Sequence, residues 1–185
     1  RTEIIRDRLN LSLEDLISEQ DVVVTLSNAG YAKSQPLSQY RSQRRGGRGR
    51  SATRMKDEDF VDRLWVVNTH DTLLCFTNAG KVYWIKVYEL PQAGPNSRGK
   101  PIVNLLPLEE GERINAVLSV REFPEDQYVF FATQKGTVKK TSLAAFKRPL
   151  SSGIRAIDLT EDDFVVDVSL TDGERDILLF ANDGR

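Results

Sequence analysis

Four segments of the chain repeat one alternation of apolar and polar positions: an apolar run, a small or polar residue, two variable positions and a glycine. They are Val22–Gly30, Leu73–Gly80, Val129–Gly136 and Ile177–Gly184. The apolar runs are rich in β-branched and aromatic side chains, which suit a pleated, half-buried surface. The Asn/Gln-x-Gly or Asn-Asp-Gly that follows suits a tight turn with its glycine at positive φ. Each segment therefore predicts a β-hairpin, with return strands such as Lys81–Ile85 and Thr137–Thr141 beyond the turn.

The turn glycines at 30, 80, 136 and 184 lie 50, 56 and 48 residues apart. A period of about fifty belongs to toroidal all-β arrays. A second landmark recurs with it. Gly47, Gly99 and Gly153 fall 17, 19 and 17 residues beyond their hairpin glycines, each with basic residues nearby. Acidic stretches then lead into further apolar strands at Asp57–Val61, Glu109–Ile114 and Glu161–Val165, and Glu14–Ile17 begins the series. Each unit thus offers about four strands, a basic glycine-bearing loop and an acidic corner. Helical periodicity is scarce, with one turn expected over Leu143–Phe146. The expected fold class is all-β, with blade-like sheets set side by side. The expected domain is a single array over 1–185, with units at 11–54, 55–103, 104–156 and an incomplete 157–185. Because the chain stops at Arg185, just after the fourth hairpin glycine, it is expected to be part of a longer array.

Bulk charge hides a segregated distribution. The 185 residues carry a net charge of −1. Yet Gln127–Ala156 holds Lys135, Lys139, Lys140, Lys147, Arg148 and Arg155 without one acid, while Asp158–Asp176 holds eight acids against Arg175 alone. A near-neutral molecule with that distribution can present one strongly positive rim. The densest cationic run is Arg41–Arg50, where Arg41, Arg44, Arg45, Arg48 and Arg50 alternate with Gly46, Gly47 and Gly49 and no acid intervenes. Guanidinium forks match phosphate oxygens, and glycines let a backbone approach a bulky anion. A solvated basic linker is the competing reading of such a run by itself.

The single cysteine, Cys75, excludes an internal disulfide framework and sits in an apolar run, as a buried thiol does. No apolar stretch has the length of a transmembrane helix, and a cytoplasmic setting without membrane contact is expected. His70 is the only histidine, so neither a histidine metal cluster nor a Ser-His-Asp triad has support. No metal site and no catalytic residue is expected. Acidic pairs such as Glu109-Glu110 and Asp162-Asp163 recur at equivalent corners of the repeat and suit turn chemistry. Trp65 and Trp84 lie in strand-like runs and read as core.

Gln43-Arg44-Arg45-Gly46-Gly47-Arg48-Gly49, placed after the first hairpin of a fifty-residue β-repeat, resembles the seven-residue gyrase-A box of the C-terminal domain of the bacterial DNA gyrase A protein. Arg48 stands where lysine is more usual. Glu14–Ile17, Asp21–Leu26 and Pro101–Leu108 are similar to the same domain, so the resemblance spans essentially the whole chain. It implies a β-pinwheel, a six-bladed propeller-like array of four-stranded blades that exchange strands, with duplex DNA around a positive rim; here the array is truncated. The DNA-binding residues it implies are Arg41, Gln43, Arg44, Arg45, Gly46, Gly47, Arg48, Gly49 and Arg50 in and around the box. Arg98, Lys100, Lys139, Lys140, Lys147 and Arg148 continue the path over later blades. The implied function is sequence-independent wrapping of duplex DNA for ATP-dependent negative supercoiling in a bacterial, nucleoid-associated enzyme. The implied partners are double-stranded DNA, the N-terminal breakage-reunion part of gyrase A, and gyrase B, in an A2B2 assembly. ATP and Mg act elsewhere in that assembly and no cofactor is expected in this chain. Two alternatives remain at this point. One is the related component of topoisomerase IV, which shares the blades but lacks a well-formed box. The other is a protein-interaction propeller, anchored by residues such as Tyr83 and Tyr88.

Overall fold

A computed structural model describes residues 13–40, 61–94 and 96–174. The run Arg41–Arg50 and the fourth hairpin segment, Ile177–Gly184, lie outside the described residues.

The three remaining hairpins form as expected. They pair β1 (Asp21–Ser27) with β2 (Tyr31–Pro36), and β4 (Thr72–Thr77) with β5 (Lys81–Lys86). The third pairs β8 (Tyr128–Thr133) with β9 (Val138–Ser142). One device closes all three turns. The hydroxyl residue that ends each first strand accepts twice, through its backbone oxygen and through its side chain. Ser27, Thr77 and Thr133 take the amides of Gly30, Gly80 and Gly136 on their carbonyls. Their side-chain oxygens take the amides of Tyr31, Lys81 and Thr137. The polar position in the repeat is therefore a buried turn clamp.

Each hairpin is extended on its first-strand side by a later strand: β3 (Val61–Asn68) on β1, β7 (Ile114–Val120) on β4, and β11 (Val165–Thr171) on β8. In the first two sheets the other edge is filled by an exchanged strand. After the β4–β5 hairpin the chain returns to pair β6 (Lys100–Pro101) with β2. After the β8–β9 hairpin it returns to pair β10 (Ile154–Arg155) with β5. The sheets run β3-β1-β2-β6, β10-β5-β4-β7 and β11-β8-β9. This strand exchange is what the β-pinwheel reading anticipates, and it crosses the simple unit boundaries drawn from the sequence.

The sheets stack face to face and share two cores. Alternate residues of β4 point to opposite layers. Leu74 and Phe76 meet Val129 and Phe131 of the third sheet and Leu143 and Phe146 of the helical turn that follows β9. Leu73 and Cys75 meet Val22, Val24 and Ala32 of the first. Burial on both faces explains why β4 reads as an unbroken apolar run rather than an alternation. Phe76 lies edge-on to Phe131 and Phe146, with centroids 5.3 and 5.9 Å away, the geometry that aromatic quadrupoles favour. Trp65 and Trp84 both pack against these cores, and Trp84 Nε1 donates to Phe146 O at 2.9 Å.

One edge of each sheet converges on its neighbour. Arg63 of β3 donates to Asn115 O of β7, and Asn115 Nδ2 donates to Val165 O of β11. All three strands shift register at the same place, opposite the residues that enter the hairpin turn. Such bulges sharpen local twist. β6 and β10 lie at the opposite edges of their sheets from β3 and β7.

Candidate nucleic-acid interface

The basic loops expected from the sequence are the segments that lead into the exchanged strands. We call them straps. The first covers 91–101 apart from Pro95, and the second covers 147–157. The first is stitched to β2 by Ser34 N to Pro91 O and Ala93 N to Ser34 O. Its cations are Arg98, whose Cζ lies 5.5 Å from the Tyr31 ring centroid, and Lys100, exposed on β6 opposite Ala32.

Gly99 has φ +83°, and a Cβ added there would meet Ala32 O at 2.1 Å. Gly153, its counterpart in the second strap, has φ +72° and lies against the Tyr83 ring, 2.6 Å from where a Cβ would stand. The recurring glycine thus serves docking of strap on hairpin. The short helical turn Leu143–Phe146 buries Leu143 and Phe146 and leaves Lys147 and Arg148 exposed at the start of the second strap. Arg155 follows on β10, 3.3 Å from the exposed Asp158, an ion pair of little energetic weight.

Lys139 and Lys140 lie on β9, an edge strand among the described residues. Lys140 Nζ sits 4.7 Å from the Tyr128 centroid, and Lys139 Nζ donates to Ala156 O at 3.1 Å. Lys135 is drawn away to the hairpin turn, where its ammonium donates to Glu161 O. Of the expected site residues that are described, all six lie on straps or on the edge strand: Arg98, Lys100, Lys139, Lys140, Lys147 and Arg148. Arg41, Gln43, Arg44, Arg45, Gly46, Gly47, Arg48, Gly49 and Arg50 lie outside the described residues.

Two cations escaped the sequence-derived site. Arg155 has a legible signal, because it stands two residues after the recurring glycine. Lys33 has none. It reads as one more polar residue on a return strand, yet it is 4% exposed, and burial lowers its ammonium pKa from the ordinary lysine value.

The acidic corners hold hairpin turns. Glu112 accepts from Thr77 Oγ1 at 2.7 Å and from the Tyr83 hydroxyl at 2.9 Å. Burial, reinforced by that carboxylate, pushes the Tyr83 phenol above its ordinary pKa. At the next corner burial opposes the charge of Asp163. Hydrogen bonds from Thr133 and from the amides of Lys135 and Phe164 outweigh it and hold the carboxyl below its ordinary value. His70 Nε2 lies 2.7 Å from Ile17 O in a turn. The Cys75 thiol is buried, and burial pushes it up to about 12.

A family model described as "DNA gyrase C-terminal domain, beta-propeller" matches residues 21–64, 71–121 and 127–172. Each matched stretch begins at the first strand of a hairpin and ends in or just past the edge strand that extends it. The DNA gyrase A protein of Aeromonas salmonicida is 62% identical over 99% of this chain and 20% of its own length. Its Escherichia coli namesake is 56% identical over 100% of this chain and 21% of its own length. The chain thus spans about a fifth of the curated relatives it matches. Among solved structures, the C-terminal domain of DNA topoisomerase IV aligns with TM-score 0.69 and 35% identity, over 85% of this chain and 47% of that one. A DNA gyrase A C-terminal domain aligns with TM-score 0.61 and 26% identity, over 82% of this chain and 48% of that one. With three matched repeats laid on three strand-exchanging sheets, the chain belongs to the DNA gyrase C-terminal domain family of β-propellers.

Proposed function

We propose that this chain binds, bends and wraps duplex DNA without reading its sequence, as the C-terminal domain of a gyrase A protein. The observation that carries the reading is the placement of cations on the straps. Arg98, Lys100, Lys147, Arg148 and Arg155 all lie on straps, which end in the edge strands β6 and β10, opposite the edges β3 and β7. Bending a duplex by 40–90° over 20–30 bp costs on the order of 1–6 kcal/mol. Phosphate neutralisation along a basic edge offsets that cost by releasing counterions, and it needs no contact with base edges.

In the fuller reading, Arg44, Arg45 and Arg48 clamp phosphates where the wrap begins or ends, with Arg41 and Arg50 beside them. Gly46, Gly47 and Gly49 let that run follow the DNA backbone. The chain acts with the breakage-reunion part of gyrase A and with gyrase B in an A2B2 enzyme of the bacterial cytoplasm, where ATP and Mg serve the other parts. This chain shapes DNA and does no covalent chemistry on it.

The topoisomerase IV reading draws support from the 35% identity and TM-score of 0.69 to that enzyme's C-terminal domain. Identities of 50–62% to gyrase A proteins favour gyrase. The discriminating experiment replaces Arg44, Arg45 and Arg48 with alanine in the full-length protein, assembled with gyrase B. Loss of negative supercoiling with DNA relaxation largely intact is expected. Supercoiling at the wild-type rate would refute the clamp.

A further inference from the structure

Lys33 is the third residue after a hairpin glycine, and its equivalents in the next two hairpins are Tyr83 and Lys139. All three reach a strap. The Tyr83 ring underlies Gly153, and Lys139 Nζ donates to Ala156 O. Lys33 does so most completely. Its ammonium donates to Gly94 O at 3.1 Å and to Ser97 O at 2.9 Å. Gly94 O also takes the Ser97 amide at 3.1 Å, so the ammonium reinforces a link between Gly94 and Ser97 that is already hydrogen-bonded. One residue later comes Arg98, and then Gly99, whose added Cβ would stand 2.8 Å from Lys33 Cβ.

A lysine 4% exposed is poorly placed to neutralise a phosphate. Burying its charge is costly unless hydrogen bonds compensate. Here two carbonyls of one strap do so. Those carbonyl dipoles are turned toward the ammonium.

We propose that Lys33 is a positioning residue for DNA binding: its ammonium ties Gly94 to Ser97 and so presents Arg98 and Lys100 to phosphates. The inference rests on the DNA-wrapping reading above. It assigns to a residue without phosphate contact a share of the salt-dependent affinity.

The test uses the full-length protein with a linear duplex long enough to wrap. Lys33→Met keeps the aliphatic stem and deletes the ammonium. Hydrogen exchange at the Ser97 amide, which donates to Gly94 O, is expected to quicken at least tenfold, while amides of the β1–β2 hairpin stay protected. Should the hairpin also lose protection, Lys33→Gln, which retains a neutral donor, supplies the same comparison in a folded protein. Plots of log K against log salt are expected to flatten by up to about 1.8, the loss of two phosphate contacts at about 0.9 each. Arg98→Ala/Lys100→Ala is expected to show the same flattening, and adding Lys33→Met to that pair no further change, since the lock acts only through those two side chains.

Unchanged exchange at the Ser97 amide overturns the lock. An unchanged slope in Lys33→Met overturns its link to DNA. A further flattening of about 0.9 in the triple variant means that Lys33 neutralises a phosphate itself, which also overturns the proposal. Should Arg98→Ala/Lys100→Ala bind DNA with the wild-type slope, the DNA reading fails at this strap and the link fails with it, while the exchange result still decides the lock.

Discussion

The two straps share a backbone solution and differ in what holds them. In each, a positive-φ glycine brings the chain against the preceding hairpin and a two-residue strand pairs with its return strand. The first strap rests on a buried ammonium and two carbonyls, the second on the ring of Tyr83. The cations differ too. Arg98 and Lys100 flank the glycine directly, whereas Lys147 and Arg148 precede theirs by several residues and Arg155 follows it. The exchanged backbone is thus the repeated element. The residue three past the hairpin glycine sets the chemistry of its anchor, and the strap is free to vary its charges.

Replacing the docking glycines should separate the two most sharply. Gly99→Ala places a methyl on backbone, at 2.1 Å from Ala32 O, so nothing soft can yield. Gly153→Ala meets an aromatic ring, which can tilt. Positive φ alone costs about 1–2 kcal/mol for a non-glycine residue. We expect losses of about 3 kcal/mol or more for Gly99→Ala and about 2 kcal/mol for Gly153→Ala, read from urea midpoints. Equal losses would mean that the first strap can move off β2.

Tyr83→Phe probes the aromatic anchor more gently. It deletes the hydroxyl's hydrogen bond to Glu112 and leaves the ring beneath Gly153, so a loss of about 1–2 kcal/mol at neutral pH is expected. A pH signature follows from the raised phenol. The unfolded chain gives up this proton first, so the stabilisation is complete below the ordinary tyrosine value near 10 and is lost as pH rises through the higher folded value. Stability of the parent protein should therefore fall more steeply than that of Tyr83→Phe at alkaline pH. Parallel curves would mean that the hydroxyl's bond to Glu112 contributes nothing to stability.

Much of this architecture was legible in the residues. The glycine period and the Asn/Gln-x-Gly after each apolar run announced the hairpins, because a tight turn needs a residue that tolerates positive φ. The clamp by the Ser or Thr that ends each described first strand was not legible. The acidic corners read correctly as turn chemistry, since Glu112 and Asp163 accept hydrogen bonds from the turns beside them. Pairing of β6 with β2 and of β10 with β5 was not legible from pattern. A two-residue strand carries no periodicity, and only the resemblance supplied the idea of exchange. Lys33 was hidden for a different reason. Its burial depends on a strap 61 to 64 residues away, and no local composition separates a buried lysine from a solvated one.

Whether the strap edge is a phosphate-binding surface is tested most directly by the salt dependence of DNA affinity. The full-length protein is compared with a variant carrying alanine at Arg98, Lys100, Lys147 and Arg148. The expected slope of log K against log salt is shallower in the variant, by up to about 3.6 for four contacts at about 0.9 each, with no change in preference among DNA sequences. An unaltered slope and affinity would contradict a phosphate-binding strap edge.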